Sequence, residues 1–382
     1  MKKLITFALA TACCLSVSGG TVKAYADSPE KTNCKASYVC DAESGTVISA
    51  ENETKRLPIA SMCKIMTLLL SFEAVDDGQL SFEEEITVSE NASGMGGSQV
   101  FLGTGLVYNA EQLMKTVAVC SANDSCVALA ERVAGSESAF VERMNARAKA
   151  LGAENTLFAN CTGLPKEPQY SCAKDVSLML RELIKHQKYF EFSKVWLEDF
   201  AHPDGRTTQI TNTNKLTRFY EGCDGGKTGF TNEAGFCLAA TAKRNDMRLI
   251  SVVIGADSSK GRFNLIRKSF DYGFSAYENA VLLKAGEKAT TVPVKGSRTQ
   301  VADLCAEHDL SAFSKKGETG NLTVEYSVPE CVKAPLKEGD RVGEAILYRD
   351  GVEIARVAIC SMQTAERFSW WDALQESARN WN

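Results

Sequence analysis

The chain has 382 residues, 44% hydrophobic and 24% charged, which suits two or three folded domains and excludes a disordered chain. Its formal net charge is −5, and no run of Lys and Arg makes the basic stripe that nucleic-acid binding needs. The three histidines (His186, His202 and His308) lie far apart and no CxxC, HExxH or CxxH spacing occurs, so neither a metal nor another cofactor is expected.

Lys2 and Lys3 precede a mostly apolar stretch from Leu4 to Val17, and small residues follow as far as Ala24-Tyr25-Ala26. This is the pattern of a secretory signal peptide over residues 1–26, cleaved after Ala26. The apolar part is too short to span a bilayer comfortably. A buried N-terminal helix is the competing reading. A lipoprotein at Cys13 is a lesser one, because Ala10-Thr11-Ala12 lacks the expected leucine. Cleavage removes three lysines and no acid, and the mature chain then works outside the cytoplasm. It also leaves twelve of fourteen cysteines. An even count in an exported chain suggests disulfides, with Cys34–Cys40 or Cys161–Cys172 as candidate pairs. Cys63, Cys120 and Cys126 sit in apolar helical patterns and read as packing.

Residues 35–50 predict two short strands around a turn at Asp41 to Gly45. Ser61 to Ala74 is apolar nearly all round, the signature of a central buried helix. Further helices are predicted over 110–134, 137–151 and 173–187. Residues 235–242 and 247–255 are β-rich and joined by Lys243-Arg244-Asn245-Asp246, a hairpin signal. A closing helix is predicted over 262–278. Residues 27–280 therefore form an α+β domain, a helical cluster against an antiparallel sheet. Short alternating runs follow at Ala289–Val294, Leu322–Val328, Ala345–Tyr348 and Val352–Ile359, with a hairpin turn at Arg349-Asp350-Gly351. They predict a small all-β domain over 281–363. Residues 364–382 carry one helical stripe (Phe368, Trp371, Leu374, Ala378, Trp381) and three of the four tryptophans. That helix either contacts a membrane surface or packs on its own domain.

Three short motifs carry chemistry. Ser61-Met62-Cys63-Lys64 opens the buried helix, so serine and lysine face one side. Ser Oγ needs a base, and a desolvated lysine with a second cation nearby can serve. The Ser61 N–H at the helix start suits an oxyanion. The S-x-x-K spacing also occurs at Ser28 and Ser171, but only Ser61 starts an apolar helix. Ser121-Ala122-Asn123 offers a hydroxyl and a carboxamide; the bland reading is a turn that caps the next helix. Lys227-Thr228-Gly229 follows Asp224-Gly225-Gly226 and mimics the end of a P-loop. Glu221 stands where that motif needs glycine, and strand-like residues follow, so nucleotide binding is rejected. On a strand edge the lysine points its charge into a cleft, the threonine hydroxyl binds a carboxylate, and the glycine lets a substrate backbone approach.

In this order the three motifs resemble those of serine-type D-alanyl-D-alanine carboxypeptidases, the low-molecular-weight penicillin-binding proteins. The likeness extends over Pro58–Thr67, Gly96–Leu102, Ser121–Glu131 and Asp224–Leu238, and Thr162-Gly163-Leu164 resembles the family's loop below the site. The resemblance implies a penicillin-binding, β-lactamase-like transpeptidase fold with a C-terminal β-sandwich-like domain. It implies peptidoglycan stem peptides as substrate and β-lactam antibiotics as covalent inhibitors. Ser61 would attack the carbonyl between the terminal D-alanines and Lys64 would take its proton. Ser121 and Lys227 would pass a proton to the leaving D-alanine, and Asn123 would hold the substrate amide. The N–H groups of Ser61 and Phe230 would form the oxyanion hole. Thr228, beside Gly229, and Arg262 would meet the terminal carboxylate.

Three departures from the family stand out. Cys63 replaces a small residue beside the nucleophile. Cys161 and Tyr170 occupy a loop where relatives often carry histidine. The C-terminal stripe is less basic than the family's anchor. A β-lactamase on the same fold is the first alternative, with Glu167 in roughly the right loop but no E-x-x-L-N pattern. A non-catalytic wall-binding protein is the second, although it would be expected to lose Ser61, Lys64 or Lys227. A Ser-His-Asp hydrolase fails because no G-x-S-x-G occurs.

Overall fold

The computed structural model describes residues 33–318 and 320–369. The expected signal peptide, and the expected terminal helix beyond Ser369, lie outside the described residues. The described chain falls into two compact units, one ending at Ser275 and the other starting at Ala276.

In the first unit, β1 (Ala36–Asp41) and β2 (Val47–Glu51) precede a 3-10 turn at Ala60–Cys63 and α1 (Lys64–Asp76). Then come β3 (Glu85–Thr87), α2 (Glu90–Ser93), β4 (Val107–Asn109), α3 (Ala110–Cys120), α4 (Asn123–Ala134) and α5 (Glu137–Ala150). Next are α6 (Ala173–Leu183), α7 (Gln187–Ser193), β5 (Leu197–Ala201), β6 (Thr207–Thr211) and α8 (Leu216–Phe219). The unit closes with β7 (Cys223–Thr231), β8 (Gly235–Arg244), β9 (Met247–Ala256) and α9 (Ser259–Ala276).

The main sheet is antiparallel, in the order β2-β1-β9-β8-β7. β8 and β9 are buried along most of their length and rich in Ala, Val and Ile, as central strands covered on both faces must be. Their hairpin turns through Asn245 at φ 52°, a left-handed conformation that asparagine tolerates. β7 is left at the sheet edge. α1 buries Ile65, Met66, Leu68, Leu69 and Phe72 and packs against α4 and α6, as its all-round apolarity requires.

Three local expectations are corrected, and one hairpin was not foreseen. Ser61 lies in the 3-10 turn, and the α-helix begins only at Lys64. The single helix expected over 110–134 is two helices, α3 and α4, interrupted at Ser121, which takes φ 68° and ψ 33°. Apolar residues continue on both sides of the break, so periodicity does not reveal it. The helix expected over 173–187 stops at Leu183, and α7 follows separately because Tyr189, Phe190 and Phe192 bury themselves there. The β5–β6 hairpin left no alternating pattern, because each strand buries one apolar residue, Phe200 or Ile210.

The second unit contains β10 (Tyr277–Leu283), β11 (Lys288–Lys295), β12 (Val301–Ala306), β13 (Leu310–Lys315), β14 (Leu322–Ser327), β15 (Val332–Lys333), β16 (Arg341–Arg349) and β17 (Val352–Ser361). Six of these form one sheet, β14-β16-β17-β12-β11-β15, and β10 pairs with β13. Val292, Leu304, Leu310, Leu347 and Ile359 fill its core. Asp350 and Gly351 turn the β16–β17 hairpin with φ of 50° and 81°. The architecture is thus an α+β unit followed by an all-β unit. Among the described residues, no helix is long and apolar enough to cross a membrane.

Candidate active site

The half-buried Ser61 sits where the 3-10 turn feeds α1. Lys64 Nζ donates to Ser61 Oγ at 3.0 Å and to the Thr162 carbonyl at 2.5 Å. Lys64 has no exposed surface, so these acceptors replace part of the hydration its ammonium loses. Ala60, just before the serine, is held at φ 49°, a strained value for alanine.

Two glycines clamp this turn. A Cβ on Gly163 would lie 2.1 Å from the Ala60 carbonyl oxygen and 2.9 Å from the Ser61 nitrogen. A Cβ on Gly229 would lie 2.7 Å from the Ile59 carbonyl oxygen and 3.1 Å from the Ser61 nitrogen. Both contacts are with backbone, so the turn itself would have to shift. Gly163→Ala and Gly229→Ala are each expected to slow acylation by penicillin about a hundredfold, since small displacements of a nucleophile cost that much. Stopped-flow acylation rates check this, and wild-type rates in either variant would contradict it.

The break between α3 and α4 places Ser121 on the short link between two buried helices and Asn123 at the start of the second. Asn123 Nδ2 donates to the Gly96 carbonyl at 2.6 Å, and its backbone N–H donates to the Ser98 carbonyl at 2.7 Å. Ser121 Oγ and Asn123 Oδ1 are buried without a hydrogen-bond partner. Ser121 therefore bonds to neither lysine here. Two orphaned polar atoms two residues apart in the chain are costly and call for a reason; a substrate's polar groups would supply one.

Asp124, the next residue, was not singled out by sequence. It is fully buried, and its carboxylate accepts from the backbone N–H groups of Val100, Leu102 and Ser125. Burial raises its pKa, and the three N–H bonds oppose that rise. It pins the Gly96–Leu102 segment against α4. Asp124→Ala leaves these donors unpaired and is expected to lower stability by about 3 kcal/mol, measurable as a fall in the urea midpoint. An acid just ahead of an apolar run (Cys126 to Ala130) was the available signal.

Lys227 projects from β7 and is 1% exposed. Burial, and then the nearby Lys64, lower its pKa to about 7. Among the described residues its Nζ donates only to the Thr228 carbonyl, at 3.3 Å. Tyr189 holds the strand start: the Gly226 N–H donates to its hydroxyl at 2.9 Å. The Arg248–Asp224 pair, bidentate at 2.8 Å, fixes the residues before it. Neither Tyr189 nor Arg248 was foreseen from sequence.

Thr228 is buried on the same strand, and Phe230 is half exposed with its ring against Phe236, centroids 4.4 Å apart. Arg262, on α9, donates from Nη1 to the carbonyls of Gly229 and Cys237 at 2.9 and 3.1 Å. Its Nε is buried and unpaired. Arg262 thus braces the end of the motif strand. The structure brings Ser61, Lys64 and Gly229 into direct contact and sets Lys227 and Arg262 beside them.

Among the described residues the cysteines are thiols. Neither Cys34–Cys40 nor Cys161–Cys172 is disulfide-bonded. The Cys161 thiol donates to Glu137 at 3.3 Å, and the Cys172 sulfur caps α6. Burial pushes the Cys126 thiol up to about 12 and raises that of Cys63, so both are inert packing. The buried His202 bridges Tyr108 and Thr208 at 2.8 and 2.9 Å, a structural role. Among the described residues no cluster of His, Cys, Asp or Glu is arranged to hold a metal.

Known proteins resemble this chain over most of its length. The sequence pattern of the D-alanyl-D-alanine carboxypeptidase family matches residues 23–258, and that of the penicillin-binding protein 5 C-terminal domain matches 277–367. The chain is 36% identical to the D-alanyl-D-alanine carboxypeptidase DacF of Bacillus subtilis, over 91% of this chain and 90% of the relative. The solved structure of penicillin binding protein 5 from Haemophilus influenzae superposes with a TM-score of 0.69 at 29% identity. It covers 90% of this chain and 100% of that one. Penicillin-Binding Protein D2 from Listeria monocytogenes, solved in its ampicillin-bound form, gives a TM-score of 0.58 at 31% identity, over 64% of this chain and 99% of that one.

Proposed function

Because the chain belongs to the D-alanyl-D-alanine carboxypeptidase family, we propose that it removes the terminal D-alanine from peptidoglycan stem pentapeptides through an acyl-enzyme on Ser61. The observation that carries this reading is the 3.0 Å hydrogen bond from the buried Lys64 to Ser61 Oγ. Lys64 takes the serine proton as Oγ attacks the carbonyl between the two D-alanines. The N–H groups of Ser61 and Phe230 receive the oxyanion. Asn123 holds the substrate amide, whose N–H meets the orphaned Oδ1. Ser121, with Lys227 behind it, delivers a proton to the leaving amine. Thr228 and the charge of Arg262 meet the terminal carboxylate. Water then hydrolyses the acyl-enzyme. Penicillin mimics the dipeptide and acylates the same serine.

The segments divide the work. Residues 1–26 direct export, 27–280 carry catalysis, 281–363 form the β-domain, and 364–382 make peripheral contact with the membrane from its outer face. The break between compact units at Ser275 and Ala276, a few residues before 280, supports a boundary between the catalytic and β segments. No observation favours a β-lactamase: Glu167 is exposed on its loop. Nor does one favour a non-catalytic protein, since Ser61, Lys64 and Lys227 all stand in the site. The test is D-alanine release from an N-acylated peptide ending in D-alanyl-D-alanine. Stoichiometric release with turnover is expected; no release by folded protein would overturn the reading.

A further inference from the structure

α8 and the first turns of α9 line an open cavity of about 520 Å³ in the catalytic unit. Leu216 and Phe263 give it a buried apolar floor, and Phe219, 59% exposed, forms a wall. Lys215, Lys260 and Arg267 line its rim, and no acidic residue does. None of these three cations makes an ion pair or a side-chain hydrogen bond in the described structure. Elsewhere on the same unit several cations are paired, as in Arg132–Glu84, Arg147–Glu73 and Lys115–Glu198. In a chain of net charge −5, three unpaired cations around one apolar cavity form a local positive field. Phe219 is held in place by the edge of Trp196, centroids 5.5 Å apart, and Arg218 lies over both rings.

This cavity shares α9 with the active site. The Phe263 ring that floors it also lies 5.0 Å from the guanidinium of Arg262, which braces Gly229. A ligand here therefore sits one helix face from the motif strand. Concave, aromatic-floored and ringed by cations, the site suits an anion with apolar substituents. A stem peptide has that chemistry: it ends in a carboxylate both before and after trimming, and alanine methyl groups flank the charge.

We propose that this cavity is a second peptidoglycan-binding site that takes the carboxylates of one stem peptide while Ser61 works on another. The proposal rests on the carboxypeptidase reading above. It makes polymeric peptidoglycan, with many linked stem peptides, a better substrate than a short peptide, because the second contact is intramolecular once the first is made.

The experiment uses the full chain and the pair Lys260→Glu with Arg267→Glu. Co-sedimentation with insoluble peptidoglycan is expected to weaken about tenfold, since two rim charges are reversed. KM for the polymer rises to match. The rate on a short N-acetylated peptide whose only carboxylate is its terminus stays at the wild-type value, as does acylation by penicillin. The exposed Lys260→Gln and Arg267→Gln pair gives a smaller loss in the same direction and serves if the reversals fold poorly. Raised salt reproduces the loss in the wild type. Wild-type binding and KM in both pairs would overturn the proposal, and so would an equal loss on the short peptide. Retained binding to peptidoglycan whose carboxylates have been amidated would overturn the carboxylate assignment in favour of another anion, such as a wall phosphate. Failure of the wild type on the short peptide would instead count against the carboxypeptidase reading, while co-sedimentation still decides the second site.

Discussion

Ser61→Ala is expected to lower D-alanine release by about 10⁴-fold or more, because the residual rate then comes from binding and the oxyanion hole alone. The loss should fall on kcat, since Oγ contributes to the reacting bond and little to the remote contacts that hold the peptide. Lys64→Ala should cost nearly as much. Its Nζ is the only side-chain group hydrogen-bonded to Ser61 Oγ in the described structure. The double variant should be no worse than Ser61→Ala, as groups that act as one unit are not additive. Rapid-quench rates on an N-acylated D-alanyl-D-alanine peptide measure all three. Additive losses would mean that the two residues act independently, contrary to the hydrogen bond between them.

Lys227 is expected to set the alkaline side of the pH profile. Burial and Lys64 lower its pKa to about 7, so it is charged below that pH and neutral above. A lysine that delivers a proton to the leaving amine must be charged. kcat/KM, which reports the free enzyme, should therefore fall as pH rises through about 7. Lys227→Arg keeps its charge and should lose that limb. Lys227→Met should acylate about 10²- to 10³-fold more slowly. Stability should move the other way. In the unfolded chain the lysine titrates near its ordinary value of about 10.4. Between pH 7 and that value the unfolded state binds more protons, so this group's contribution to stability rises with pH. Below pH 7 both states are charged and the folded state bears the full desolvation penalty. Lys227→Met should therefore unfold at higher urea than wild type at pH 6. A lower midpoint there would contradict the buried-charge argument.

The contrast between residues that sequence disclosed and those it concealed has a physical basis. Ser61, Lys64, Asn123 and Lys227 were visible because their chemistry needs fixed residue types at fixed spacing in an apolar context. The buried helix after Ser61 and the Asn245 hairpin were visible because all-round apolarity and turn residues are local signals. The break at Ser121 was not. A single left-handed residue ends α3, and the apolar run passes through it unchanged. The supports of the site were hidden for a different reason. Asp124 acts through the backbone N–H groups of Val100 and Leu102, which only the fold brings near it, and the Thr162 carbonyl that Lys64 contacts lies 98 residues away. Gly163 and Gly229 matter for what a methyl group would strike, which no spacing encodes. The disulfides weighed from an even cysteine count do not form, because those sulfurs are occupied in packing and capping.

The most direct test of the central claim is the intact mass of the protein followed over time after brief benzylpenicillin treatment, with Ser61→Ala alongside. The expected result is one persistent adduct of the drug's mass on wild type and none on the variant. An adduct of equal yield on Ser61→Ala would contradict the nucleophile assignment. Consumption of the drug with no lasting adduct would identify a β-lactamase instead.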